Sequence, residues 1–72
     1  MTFRERRQYR DDRGKTWSIR RIVTLENRRR VFLMRGEGPV PSWAIAEQIE
    51  DDTAKVYLRI GYSIIYDDEE AD

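Results

Sequence analysis

The sequence predicts a small α+β domain, a three-stranded antiparallel sheet with one short helix packed on it, in the order (α)ββαβ. Three observations predict it. Residues 15–35 hold two runs of period-two apolar alternation separated by a turn signal. Residues 54–66 hold a third such run. Between them Trp43, Ala46 and Ile49 recur at helical spacing behind Pro41. Strands and helix grouped in this way belong to the α+β class. The rival is a small SH3-like β-barrel, which follows if residues 42–50 are strand.

Taken in order, Thr2-Phe3-Arg4-Glu5 fits a capping box, in which the Thr2 hydroxyl and Glu5 carboxylate satisfy free N–H groups at a helix start. A short helix over 3–12 would stop at Gly14. The stretch offers only Phe3 and Tyr9 as apolar anchors, so residues 1–14 read as a basic N-terminal segment, frayed or briefly helical. From Lys15 the period becomes two. Trp17, Ile19, Val23 and Leu25 share one face, interrupted by Arg21, while Ser18, Arg20, Ile22 and Thr24 share the other. Glu26-Asn27-Arg28 is a turn, because Asn tolerates the left-handed conformation. Residues 29–35 return, with Val31 and Leu33 on one side and Phe32 and Met34 on the other, completing a hairpin.

Gly36-Glu37-Gly38-Pro39-Val40-Pro41 is a loop. Pro41 suits the first turn of a helix to Glu50, which puts Trp43 in the core. Asp51-Asp52-Thr53 is a turn. Val56, Leu58 and Ile60 then alternate with Tyr57 and Arg59, and Gly61 marks a bulge or bend before Tyr62, Ile64 and Tyr66. Residues 67–72 form an acidic tail with nothing to bury. The folded domain is thus expected over 15–66.

A chain of 72 residues is one domain with a small core, burying about 60% of the surface its unfolded form exposes. It contains no Cys and no His, which removes disulfides, thiolate metal sites, the commonest metal ligand and the usual proton shuttle. No metal or other cofactor is expected. The basic N-terminus lacks the apolar stretch of a signal peptide, and Val31–Met34 and Ile64–Tyr66 are too short to span a bilayer. The expected location is cytoplasmic, with no membrane partner.

Zero net charge conceals a strong division. Residues 1–30 hold eleven basic against four acidic side chains, a balance of +7, and residues 31–72 hold three against ten, a balance of −7. Twelve of the fourteen basic residues are Arg, whose planar fork grips carboxylate or phosphate through paired hydrogen bonds.

Catalytic constellations are missing. Gly14-Lys15-Thr16 matches the end of a phosphate-binding loop, but the Gly required five positions earlier is Tyr9. The acidic runs Asp11-Asp12, Asp51-Asp52 and Asp67-Asp68-Glu69-Glu70 lie at turns or ends, where neighbouring carboxylates share one solvated environment instead of the two that acid–base pairs need. Ser18, Ser42 and Ser63 have no His to activate them. The chain is therefore read as a non-catalytic binding protein.

Two surfaces are the candidates. Arg20, Arg21, Arg28, Arg29 and Arg30 lie on or beside the hairpin and would contact a partner or nucleic acid; Asp67, Asp68, Glu69 and Glu70 would form an acidic docking tail. The expected function is a small regulator that binds a larger protein machine, in the style of phage-encoded inhibitors of host RNA polymerase and transcription. The alternative is a nucleic-acid-binding domain using the Arg-rich hairpin. Neutral overall charge weighs against the alternative, because such domains are normally basic.

Overall fold

The computed structural model describes residues 3–67, and every regular element in them is a strand. The six strands are β1 (Gln8–Arg10), β2 (Thr16–Thr24), β3 (Arg30–Gly36), β4 (Trp43–Glu50), β5 (Thr53–Tyr57) and β6 (Tyr62–Tyr66). Each pairs antiparallel with the next. The sheet curls until its ends meet. Asp11 bridges Ile65, the Asp12 N–H donates to the Ile64 carbonyl at 2.9 Å, and the Ile64 N–H donates to Asp12 Oδ1 at 3.2 Å. The result is a nearly closed barrel, in which closure removes most of the sticky edge an open sheet would show.

This overturns the three-stranded sheet with a helix, and the small SH3-like barrel is the architecture that fits. Residues 42–50 carry the main correction. They form β4, with Ala44 and Ala46 turned inward and Trp43, Ile45 and Ile49 turned out, 58%, 47% and 48% exposed. Helical spacing through Trp43, Ala46 and Ile49 mixed residues from both faces of a strand. Alanine on the inner side of β4 leaves room for Trp17, Phe32 and Met34, so small and large residues alternate across the barrel. Trp43 is accordingly not a core residue.

The expected helix over 3–12 is also replaced. Thr2 lies outside the described residues, and the Glu5 carboxylate accepts the N–H of Ile22 at 2.8 Å instead of capping a helix. Arg6 turns the chain at φ 65°, and β1 then pairs Tyr9 opposite Trp17. The third expected strand is in fact two, β5 and β6, with Gly61 at φ 80° in the turn between them.

The β2–β3 hairpin stands where the alternation predicts it, with one refinement. A bulge between Ile19 and Arg21 inserts Arg20 as an extra residue. Ile19 pairs with inward Met34 and Arg21 with outward Leu33, so Arg20 and Arg21 both leave the core side. After the bulge Ile22 takes the inner position and Val23 the outer one, the reverse of the unbroken pattern.

Trp17, Ile19, Phe32, Met34, Ala46, Ala54, Val56 and Ile65 fill the interior. Burying each of the large ones is worth roughly 1.5–3 kcal/mol. Both mouths are stoppered. At one, the Asp11 carboxylate accepts the Trp17 indole N–H at 2.8 Å and the backbone N–H groups of Arg13 and Lys15 at 2.9 and 2.8 Å. The Lys15 ammonium lies 4.5 Å from the Trp17 ring. At the other, Phe3 packs on Tyr9 and Phe32 with ring centroids 5.0 and 5.2 Å away. Burial pushes the Tyr9 phenol above its ordinary value of 10.0, partly opposed by the backbone N–H of Arg4 donating to it.

Candidate binding surface

A pleated strand sends neighbouring side chains to opposite faces, and this barrel is apolar on both. Register places Arg21, Leu33, Ile45, Tyr57 and Tyr62 side by side across β2 to β6. From Leu33 to Tyr62 these are 37%, 47%, 46% and 51% exposed. A neighbouring row runs Ser18, Arg35, Trp43. The outer wall thus carries a continuous aromatic and aliphatic stripe.

Cations lie directly on it. The Arg35 guanidinium sits 5.6 Å from the Trp43 ring and the Lys55 ammonium 4.5 Å from the Tyr62 ring. Below the stripe Glu47 accepts from the Tyr57 hydroxyl at 3.2 Å and pairs with Arg29 Nε at 2.6 Å. Its negative charge is therefore largely matched within the wall.

The five arginines singled out in the sequence do not make one patch. Arg20 and Arg21 are exposed beside the bulge, with no side-chain partner among the described residues. Arg28 is exposed at the hairpin tip, at φ 63°. Arg29 is held by Glu47. Arg30 turns toward the interior, where it donates to Gln48 Oε1 at 2.9 Å and to the Phe3 carbonyl at 3.1 Å. Arg28 and Arg29 stand in the hairpin tip before β3 begins, alternation turns Arg30 to the side of Phe32, and the bulge lets Arg20 and Arg21 both face outward. Of the acidic tail, Asp67 is tied by its backbone N–H to the Asp52 carbonyl at 2.8 Å; Asp68, Glu69 and Glu70 lie outside the described residues.

Leu33, Arg35, Trp43, Ile45, Tyr57 and Tyr62 were not among the predicted contact residues. Their signal was present as bulky apolar residues at both alternating positions of β3 and β6, more than a small core accommodates.

Two concavities indent the wall. One of about 490 Å³ lies between β2 and the β3–β4 loop and is lined by Ser18, Arg20, Arg35, Glu37 and Pro41, among others. One of about 280 Å³ lies by the hairpin tip, between Arg28, Arg29, Gln48 and Asp51. Among the described residues no group of three or more acidic side chains is placed to hold a metal ion. No protein-family model, curated protein or solved structure matches the chain.

Proposed function

We propose that the protein is a small non-catalytic regulator that docks on a larger protein through the outer wall of β2 to β6. The observation that carries this reading is the exposed stripe Leu33–Ile45–Tyr57–Tyr62 with Trp43 beside it. Contiguous exposed apolar surface marks interaction sites, and Trp, Tyr and Arg are the residues that dominate binding energy at protein interfaces. The rigid wall holds these side chains in place before the partner arrives, which lowers the entropic cost of association. Transcription machinery is the first partner to seek, on the strength of the charge division along the chain; a polarised surface steers association with a charged target.

Nucleic acid is the second reading, favoured by the cations stacked at Trp43 and Tyr62, since bases stack on aromatics flanked by positive charge. It has lost ground in one respect, because Arg29 and Arg30 are engaged within the barrel. Affinity capture from lysate with and without nuclease separates the two. A protein set that survives nuclease and is dominated by one complex supports the regulator. A set that vanishes with nuclease overturns it in favour of the nucleic-acid reading.

A further inference from the structure

Building on the protein-docking reading, we propose that the groove between β2 and the β3–β4 loop selects the partner by taking an acidic side chain, while an apolar neighbour on the same segment lies on Trp43 and Leu33. The ligand is an acidic, amphipathic stretch of polypeptide.

The site is made where β2 bulges. Alternation sets Arg20 on the side of Ser18, which faces Arg35 across the ladder, and the bulge leaves Arg20 outside the Ile19–Met34 and Arg21–Leu33 pairs. Both guanidiniums consequently line one groove of about 490 Å³. Among the described residues Arg20 has no side-chain partner, and Arg35 contacts the Trp43 ring without a hydrogen bond from its N–H donors. The carboxylate lining the groove among the described residues is that of Glu37, already bonded by the Gln8 amide. Among the described residues the groove therefore holds two cationic forks with one anion, itself partly satisfied. Guanidinium forks bind carboxylates through paired, charge-assisted hydrogen bonds.

What surrounds the groove decides between an acidic peptide and a nucleic-acid strand. A phosphate backbone needs cations along its whole track. Leading away from Arg20 and Arg35, the wall offers Trp43, Leu33 and Ile45, with Arg21 beside Leu33, then Glu47 facing Lys55, whose ammonium lies on the Tyr62 ring, so its cations are interrupted by apolar residues and an anion. A localised positive site beside an aliphatic strip matches a polypeptide with acidic and apolar residues close together.

The test is a ¹⁵N NMR titration of the whole protein with a short peptide containing Glu and Leu, with its Gln-for-Glu counterpart, and with oligothymidylate. The Nε–H signals of Arg20 and Arg35 and the Gly38 amide should move with the Glu peptide. Binding should weaken about tenfold or more for the Gln peptide or for Arg20→Gln with Arg35→Gln, the effect of a lost hydrogen bond to a charged group. Arg35→Lys should restore only part of it, because charge returns without the fork. Equal binding of both peptides, stationary Arg signals, or tighter binding of oligothymidylate at the same residues would overturn the proposal. Capture of the cellular partner keeps the two readings apart. If Ile45→Arg loses the partner while the Arg20→Gln, Arg35→Gln protein keeps it, protein docking stands and the groove's role falls. If both variants keep it, both readings fall.

Discussion

Trp17 and Trp43 stand on opposite sides of one β-wall, served by adjacent residues of β3. Gly36 faces Trp17, and Arg35 faces Trp43. Inside, beside a glycine whose missing side chain makes room for the Lys15 stem and the Ser42 hydroxyl, lies an indole that is 1% exposed and donates its N–H to a buried carboxylate. Outside, the arginine lies over an indole that is 58% exposed. The same residue type in the same sheet thus fills the core in one place and lies open to solvent in the other. A barrel this small cannot bury every apolar residue its strands carry, and those left outside are available for binding.

The largest expected effect comes from breaking the inner half of the comparison. Trp17→Ala should cost about 3–5 kcal/mol through lost burial and the cavity left behind. Set against a small domain's total stability of about 5–15 kcal/mol, that loss should appear as a collapsed urea midpoint, whereas Trp43→Ala should melt within about 0.5 kcal/mol of the parent. Phe3→Ala should follow at about 3 kcal/mol, since that ring stoppers a mouth but leaves no hydrogen bond unmade; its melting curve would also show that residues before β1 belong to the core. Raising the pH sharpens the same point without mutation. Tyr9 favours its neutral form in the fold, so its contribution is complete below pH 10.0 and is lost as pH rises through its elevated folded value. Ultraviolet titration should find one tyrosine ionising late, together with unfolding; Tyr9→Phe should remove that coupling. The smallest effect is at the hairpin tip. Arg28→Gly should gain about 0.5 kcal/mol by relieving a left-handed residue, read as a slightly higher urea midpoint.

Much of the strand pattern was legible, and where it misled the cause is physical. The β2–β3 hairpin followed from alternation and its turn, although the left-handed residue is Arg28 while Asn27 helps through its side chain, accepting the Arg29 N–H at 3.2 Å. Arg21 interrupting the apolar face was the visible trace of the bulge, but a single sequence does not say which of two neighbours is the extra one. β4 was hidden because its inner residues are alanines and its bulky ones face solvent, opposite to the usual inside–outside signal. β1 has three residues and one core side chain, Tyr9, too little for any period to show. The candidate site suffered most. Three consecutive arginines looked like one patch, yet Arg28 stays at the tip, Arg29 pairs with Glu47 and Arg30 turns inward, while Arg35 and Trp43 become neighbours only through the β3–β4 register. Contacts between strands are set by pairing that sequence spacing does not display.

If the proposed function is right, the outer wall holds the partner while the inner wall holds the fold. The most direct test is nuclease-treated affinity capture with Ile45→Arg, which places a charge in the middle of the exposed stripe at a position 47% open to solvent. The account predicts a protein that melts like the parent and no longer retains its partner. Undiminished capture by the folded variant would contradict it.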